Sequence, residues 1–189
     1  HERLKIPMLY VSHDMAEVQR LADTLVLLDK GRTIATGPIG EVLTNVDLPS
    51  AARPDASAVL DAEVGEFDPA YALTAISVAG GALVVPGHFG EPGSRRRIRI
   101  AAADVSLSAA RPSQTTISNI LPARIVELRR LDDAQMNVVL VLGHAGEGAR
   151  LLARVTRRSV EALGLHAGAA IYAQVKAVSM IRRRPSAGT

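Results

Sequence analysis

Thr115-Thr116-Ile117-Ser118-Asn119-Ile120-Leu121 and Ile171-Tyr172-Ala173-Gln174-Val175-Lys176-Ala177-Val178-Ser179 bracket the part of the chain whose reading decides the fold. The first is a polar turn, rich in hydroxyls and ending on an amide, that runs into an apolar-alternating strand. The second is another alternating strand, and it carries a lysine. Between them Val155-Thr156-Arg157-Arg158-Ser159 leads into a short helical pattern that Gly164 ends. Folding that gathers these three polar points would supply hydroxyls, free backbone N–H groups and one ammonium. That inventory suits a small dianion, because donors and positive charge replace its water shell.

Working outward, Ile120 to Leu131 alternates as a strand, Asp132 to Gln135 turns it, and Met136 to Leu142 returns. Gly143 to Gly148 is a glycine-rich loop before a strand from Arg150 to Val155. A helix capped by Thr156 runs from Arg157 to Leu163, and Ala170 to Val178 is the final strand. The set reads as an OB-like barrel of five short strands and one helix.

Upstream, Asn45 to Ser57 holds two prolines, small residues and no periodicity, and reads as a linker. Val59–Glu66, Ala72–Val78, Ala82–Val85, Arg97–Ala101 and Val105–Ser108 then alternate as short strands between Gly/Pro turns, the pattern of another small β-barrel. The chain also repeats itself. Val59-Leu60-Asp61-Ala62-Glu63-Val64 parallels Ile120-Leu121-Pro122-Ala123-Arg124-Ile125, and Ala103-Asp104-Val105-Ser106-Leu107 parallels Lys176-Ala177-Val178-Ser179-Met180. Two successive units of roughly 60–70 residues are therefore expected, and the first has Ala103 where the second has Lys176.

Composition limits the alternatives. A chain of 189 residues with 48% hydrophobic content is long enough for one large or two small globular domains. The 22 Lys and Arg barely exceed the 19 acids, and with only Lys5, Lys30 and Lys176 as lysines the basic character is arginine. No cysteine is present, which removes disulfides and thiol chemistry and is compatible with a reducing compartment. No apolar run reaches the roughly 18–20 residues that span a bilayer, and no signal-peptide pattern opens the chain. The chain opens with His1 inside what reads as an element, so a longer parent protein is expected. Arg95-Arg96-Arg97 with Arg99 is a candidate nucleic-acid or acidic-lipid patch. Its place at the entry to a strand favours a solvated rim, and an aromatic content of 3% leaves few platforms on which bases stack. His88 and His144 stand in turns without partnering ligands, so they read as surface residues and no metal site is expected.

In the first 45 residues, Ile6 to Ser12 is a short apolar run suited to a buried parallel strand. Asp14-Met15-Ala16-Glu17 has capping-box spacing ahead of a helix, Thr24 to Asp29 is a strand, and Lys30-Gly31 turns it into Arg32–Thr36. Gly37-Pro38 opens a short helix from Ile39 to Leu43. Tyr10-Val11-Ser12-His13-Asp14-Met15-Ala16-Glu17-Val18, followed by Leu21-Ala22-Asp23 and Leu28-Asp29-Lys30-Gly31, resembles the end of an ABC-transporter ATPase domain. The resemblance implies that His13 is the switch-loop histidine that senses the γ-phosphate, a catalytic role only in the intact ATPase. The phosphate-cradling glycine loop, the signature motif and the magnesium-holding acid belong upstream, so ATP and Mg are expected only in the parent.

The last unit resembles the molybdate/tungstate-binding (mop-type) domain of the transport-associated OB group. The matching stretches are Thr115–Leu121, Leu152-Ala153-Arg154-Val155-Thr156, Leu165-His166-Ala167-Gly168 and Tyr172–Ser179. Two such units behind an ABC tail resemble the C-terminal half of the ATP-binding subunit of molybdate ABC transporters. The resemblance implies oxyanion contacts from Thr116, Ile117, Ser118 and Asn119, from Thr156 and Ser159, and from Lys176 and Ala177. Ser118 replaces an arginine common in the family, and Ala177 stands where a hydroxyl is often supplied. A lost guanidinium contact is worth about 1.5–3 kcal/mol.

The expected fold class is thus mainly β, tandem OB-like barrels preceded by a truncated α/β remnant of an ABC ATPase domain. The expected division is 1–45 remnant, 46–57 linker, 58–112 first unit, 113–182 second unit and 183–189 tail. The leading reading is a regulatory region that senses molybdate or tungstate, pairs as a homodimer, and meets a membrane permease through the parent ATPase at the cytoplasmic face of the cell membrane, with no nucleic-acid partner. The rival reading is a dimerisation or assembly module of a related importer ATPase that binds no ion.

Overall fold

The computed structural model describes residues 7–181. Ile6, where the first expected strand begins, and the tail 183–189 lie outside the described residues. Local signals hold from Asp14 onward. Its carboxylate accepts N–H bonds from Ala16 and Glu17 at 2.8 and 3.4 Å and caps α1 (Met15–Leu21). The reciprocal half of the capping box does not form: the Asp14 N–H donates to Ser12 Oγ, while Glu17 accepts from the Tyr10 hydroxyl at 2.6 Å and from Ser12 at 3.3 Å. The bond to Glu17 is the main reason the Tyr10 phenol is raised above its ordinary range. Asp14→Ala is expected to cost about 1 kcal/mol of local stability, read as faster amide exchange across residues 16–21 with the barrels unaffected.

β1 (Thr24–Asp29) and β2 (Arg32–Pro38) form an antiparallel hairpin whose turn residues Lys30 and Gly31 have φ of 47° and 77°. Two successive positive φ values match the twist of the flanking strands. α2 (Ile39–Leu43) follows as the sequence predicts. The strand expected over Ile6–Ser12 is not formed over residues 7–12, and Met8, Leu9 and Val11 are 55%, 92% and 85% exposed. A buried parallel strand needs neighbours on both sides, and among the described residues nothing pairs with this run.

Beyond α3 (Pro49–Ala52), the first repeat supplies β3 (Ser57–Asp68), β4 (Leu73–Val78), β5 (Gly81–Pro86), β6 (Arg95–Ala101) and, after a 3-10 turn at Ala102–Asp104, β7 (Val105–Ser108). The second supplies β8 (Asn119–Arg130), β9 (Gln135–Leu142), β10 (Arg150–Thr156), α4 (Arg157–Ala162), β11 (Ala170–Val175) and β12 (Ser179–Met180). The two five-stranded antiparallel sheets run β12-β6-β3-β4-β5 and β10-β9-β8-β11-β7. Each therefore takes four strands from one repeat and its fifth from the other. This corrects two expectations. The second unit's fifth strand is β7 from the preceding repeat, and the final strand stops at Val175 because Lys176–Val178 carry the chain across to the first sheet. The repeat itself is plain in the geometry: β3 and β8 are both 12 residues long, and their registers break after Val64 and Ile125, the positions the sequence repeat pairs. A bulge at that point bends a long strand enough to serve both walls of a barrel.

The inward-facing residues of both sheets merge into one core in which Ile76, Ile98, Ile100, Leu140, Leu142 and Leu151 are fully buried. The stretch between α2 and β3 is docked as well. Val46, Ala51 and Ala56 pack on Ala102, Val139 and Leu152, covering the outer face of β9 and β10. Asn137, 2% exposed, donates to Ala51 O at 2.7 Å, and Arg154 reaches the same carbonyl at 2.8 Å. Arg95 and Arg96 are exposed at the entry to β6, as a solvated rim requires, but Arg97 and Arg99 are not part of it. Arg97 donates to Ala22 O at 2.7 Å and to Asp23 at 2.8 Å, and Arg99 donates to Ser57 Oγ and Asp55 O at 3.0 and 2.9 Å. Alternation places these side chains on the outer face of β6, where α1 lies.

Candidate functional site

Register decides which candidate residues meet. Asn119 opens β8 and Val175 closes β11, and the two are paired, so the turn 115–118 and the segment Lys176–Val178 leave the sheet side by side. Thr115 Oγ1 accepts the Ile117 N–H at 3.1 Å, a hydroxyl-closed turn that follows Gln114 at φ 57°. Among the described residues the N–H groups of Thr116 and Ser118 have no bond partner. Thr116 and Ser118 are exposed and Ile117 is half-buried. Lys176 is anchored by its own N–H to Asp104 O at 2.9 Å, its side chain is exposed, and it forms no ion pair with any described acid. Ala177 beside it is exposed and offers only its backbone.

Asn119 is different from its neighbours. It is 9% exposed, its Oδ1 accepts the Val84 N–H at 2.7 Å, and its Nδ2 donates to Val84 O at 3.1 Å. Its amide thus replaces a missing strand neighbour along β5, and one lone pair and one N–H remain for anything else.

Thr156 and Ser159 form a second polar pair. Their hydroxyls bond at 2.7 Å, and Thr156 Oγ1 accepts the Ser159 N–H at 3.1 Å, which caps α4. Thr156 pairs with Gln135, and the Arg157 N–H reaches Ala134 O at 2.8 Å. This pair therefore sits at the β8–β9 turn, while Asn119 lies at the opposite end of β8. No hydrogen bond joins the two groups. His13 is exposed, immediately before α1. Among the described residues no three His, Asp or Glu side chains converge as metal ligands, and no helix is long and apolar enough to cross a membrane.

With this geometry established, residues 115–181 match the TOBE domain family. The chain is 52% identical over 180 residues to the molybdenum import ATP-binding protein ModC of Rhodopseudomonas palustris (strain BisB18), covering 95% of this chain and 47% of that protein. It is 47% identical over 180 residues to ModC of Rhodobacter capsulatus, covering 95% and 50%. It is a homologue of molybdenum import ATP-binding proteins, with a TOBE domain. The chain spans about half the length of these ModC relatives. In structure it is similar to the cytoplasmic molybdate-binding protein ModG, solved with molybdate bound. The TM-score is 0.55 at 20% identity, over 64% of this chain and 94% of that one, and the shared property is the fold.

The TOBE boundaries follow the sequence repeat, whereas the sheet containing β8–β11 needs β7 from outside them. Sequence reasoning missed two residues that shape this site: Val84, whose backbone holds Asn119, and Asp104, whose carbonyl holds Lys176. Neither role has a side-chain signature.

Proposed function

We propose that this chain is the oxyanion-sensing region of the ATP-binding subunit of a molybdate or tungstate importer. The observation that carries the reading is Lys176, an exposed ammonium with no ion pair among the described residues, set beside a turn whose Thr116 and Ser118 N–H groups have no partner among them, inside a TOBE domain. A dianion there accepts from the Thr116 and Ser118 N–H groups and their hydroxyls, with Lys176 supplying charge. The names of the ModC relatives and the anion bound to ModG support molybdate as the ligand. Thr156 and Ser159 stand apart within one chain, so in this reading they complete the site across a homodimer. The parent subunit binds ATP and Mg upstream, uses His13 as its switch-loop histidine, and works with a membrane permease at the cytoplasmic face. Binding regulates the transporter to the extent that the anion favours one arrangement of the domains over another.

Calorimetric titration of the chain with molybdate, tungstate and sulfate tests this. Molybdate and tungstate are expected to bind and sulfate not to. Lys176→Ala removes a charge-assisted contact of about 1.5–3 kcal/mol, so affinity drops about ten- to hundredfold. Absence of heat at millimolar molybdate sinks the reading. The assembly-module alternative then leads, and Asn119 favours it, since its amide already joins the two barrels through Val84.

A further inference from the structure

Residues 176–181 run from the candidate anion site to the apolar cluster on which the ABC-like helix packs. Lys176 and Ala177 line the site, Val178 packs on the common core, and Ser179 and Met180 pair with Arg99 and Ile98 of β6. The Ile181 N–H then donates to Arg97 O at 3.0 Å. The Ile181 side chain packs against the apolar cluster of Val18, Ile39, Leu43 and Val59, which also takes Met15 and Ala22. Arg97, the residue whose carbonyl receives Ile181, sends its guanidinium to Ala22 O and Asp23 at the end of the same helix. One short segment thus starts at the site and ends on the apolar cluster that includes Val18 of α1, and it bonds Arg97, whose guanidinium holds the residues that follow α1. α1 begins two residues after His13.

We propose that residues 176–181 are the element that couples anion occupancy to α1, with Ile181 and Arg97 as the joints. The inference rests on the oxyanion-sensing reading of the same site. Drawing Lys176 onto a dianion places tension on a segment with only two residues of strand pairing, and Ile181 and Arg97 convert that into a change at the C-terminal end of α1. The first repeat has no corresponding path to α1 from its Ala103, because β7 enters the second sheet. Reciprocal strand exchange is therefore what lets the second repeat's site reach the helix packed on the first.

Amide hydrogen exchange of the 189-residue chain, with and without sodium molybdate, tests the proposal in wild type, Arg97→Gln and Ile181→Ala. In wild type, molybdate is expected to change exchange in both 176–180 and 15–23. In each variant the response at 176–180 persists and that at 15–23 is lost or sharply reduced. Without ligand, Ile181→Asp is expected to speed exchange at 15–23, a check that needs no anion. A wild-type response at 176–180 with none at 15–23 overturns the coupling and leaves the sensor intact. So does a response at 15–23 that survives both variants. No response anywhere, together with no calorimetric heat, overturns the sensor reading, and the regulatory role of this segment falls with it.

Discussion

Gly148→Ala is expected to destabilise the paired barrels by about 3 kcal/mol, lowering the thermal midpoint by roughly 6–12 °C. A Cβ at Gly148 would lie 2.4 Å from Ala79 O, 2.6 Å from Gly80 Cα and 2.7 Å from Leu142 O. All three are backbone atoms, so no rotamer change relieves the clash. The contact is a seam between the repeats: the β4–β5 turn at Ala79-Gly80 enters the loop 143–148, and the Ala149 N–H donates to Ala79 O at 2.8 Å. Gly81 continues it, since a Cβ there would sit 2.2 Å from Leu121 Cδ2. Gly37→Ala is the control. Its Cβ would meet only Val42 Cγ2 at 3.6 Å, an ordinary contact, and a change within about 0.5 kcal/mol is expected. Equal midpoints for Gly148→Ala and wild type would show that the two turns do not touch in solution.

Asn119→Ala is expected to cost about 2–4 kcal/mol, because it leaves both the N–H and the carbonyl of Val84 without partners at a buried contact. Asn119→Asp separates the hydrogen bonds from mere volume. The new carboxylate still accepts from the Val84 N–H but faces the Val84 carbonyl, so burial and repulsion raise its folded pKa above the unfolded value near 4. The penalty relative to wild type is therefore absent below about pH 4 and grows as pH rises through the folded pKa. Denaturant unfolding of both variants at several pH values reads this directly. A pH-independent loss in Asn119→Asp would mean that its side chain no longer faces β5. Because Asn119 directly follows the turn proposed to bind the anion, molybdate affinity should fall in Asn119→Ala even where the chain remains folded.

Much of the fold is legible residue by residue. Alternation locates β3–β6 and β8–β10 within a residue or two, Lys30-Gly31 marks the hairpin, and Thr156 and Gly164 bound the short helix. Alternation works best in β4, in the middle of β3 and in the first half of β8, where one face meets the core and the other is more open to water. It misleads at Arg97 and Arg99, whose outward side chains become ties to Ala22, Asp23 and Asp55. It also says little about the linker, whose small residues pack on β9 and β10. The signal for that cover lay elsewhere: Val138-Val139-Leu140 and Leu151-Leu152-Ala153 are continuous apolar runs, as strands buried on both faces are.

At the site, the chemistry of Thr116, Ser118, Thr156, Ser159 and Lys176 is a property of side chains and is visible in one dimension. Their grouping is not. The repeat announces two β units and places a lysine in only one of them. Which sheet each closing strand joins depends on pairing energies between segments as distant as Val105 and Val175, or Arg99 and Ser179, set by packing rather than by local pattern. The sequence by itself determined most element types, the duplication and the inventory of candidate anion-binding groups, since these follow from period, turn chemistry and residue identity. Only the tertiary structure decided that β7 and β12 change places, that the Asn119 amide is held by a backbone with no side-chain signature, and that Ile181, five residues after Lys176, packs on the cluster that includes Val18 of α1. Each of those is a meeting of segments distant in the chain, and hydrogen bonds to peptide groups leave no mark in the letters that make them.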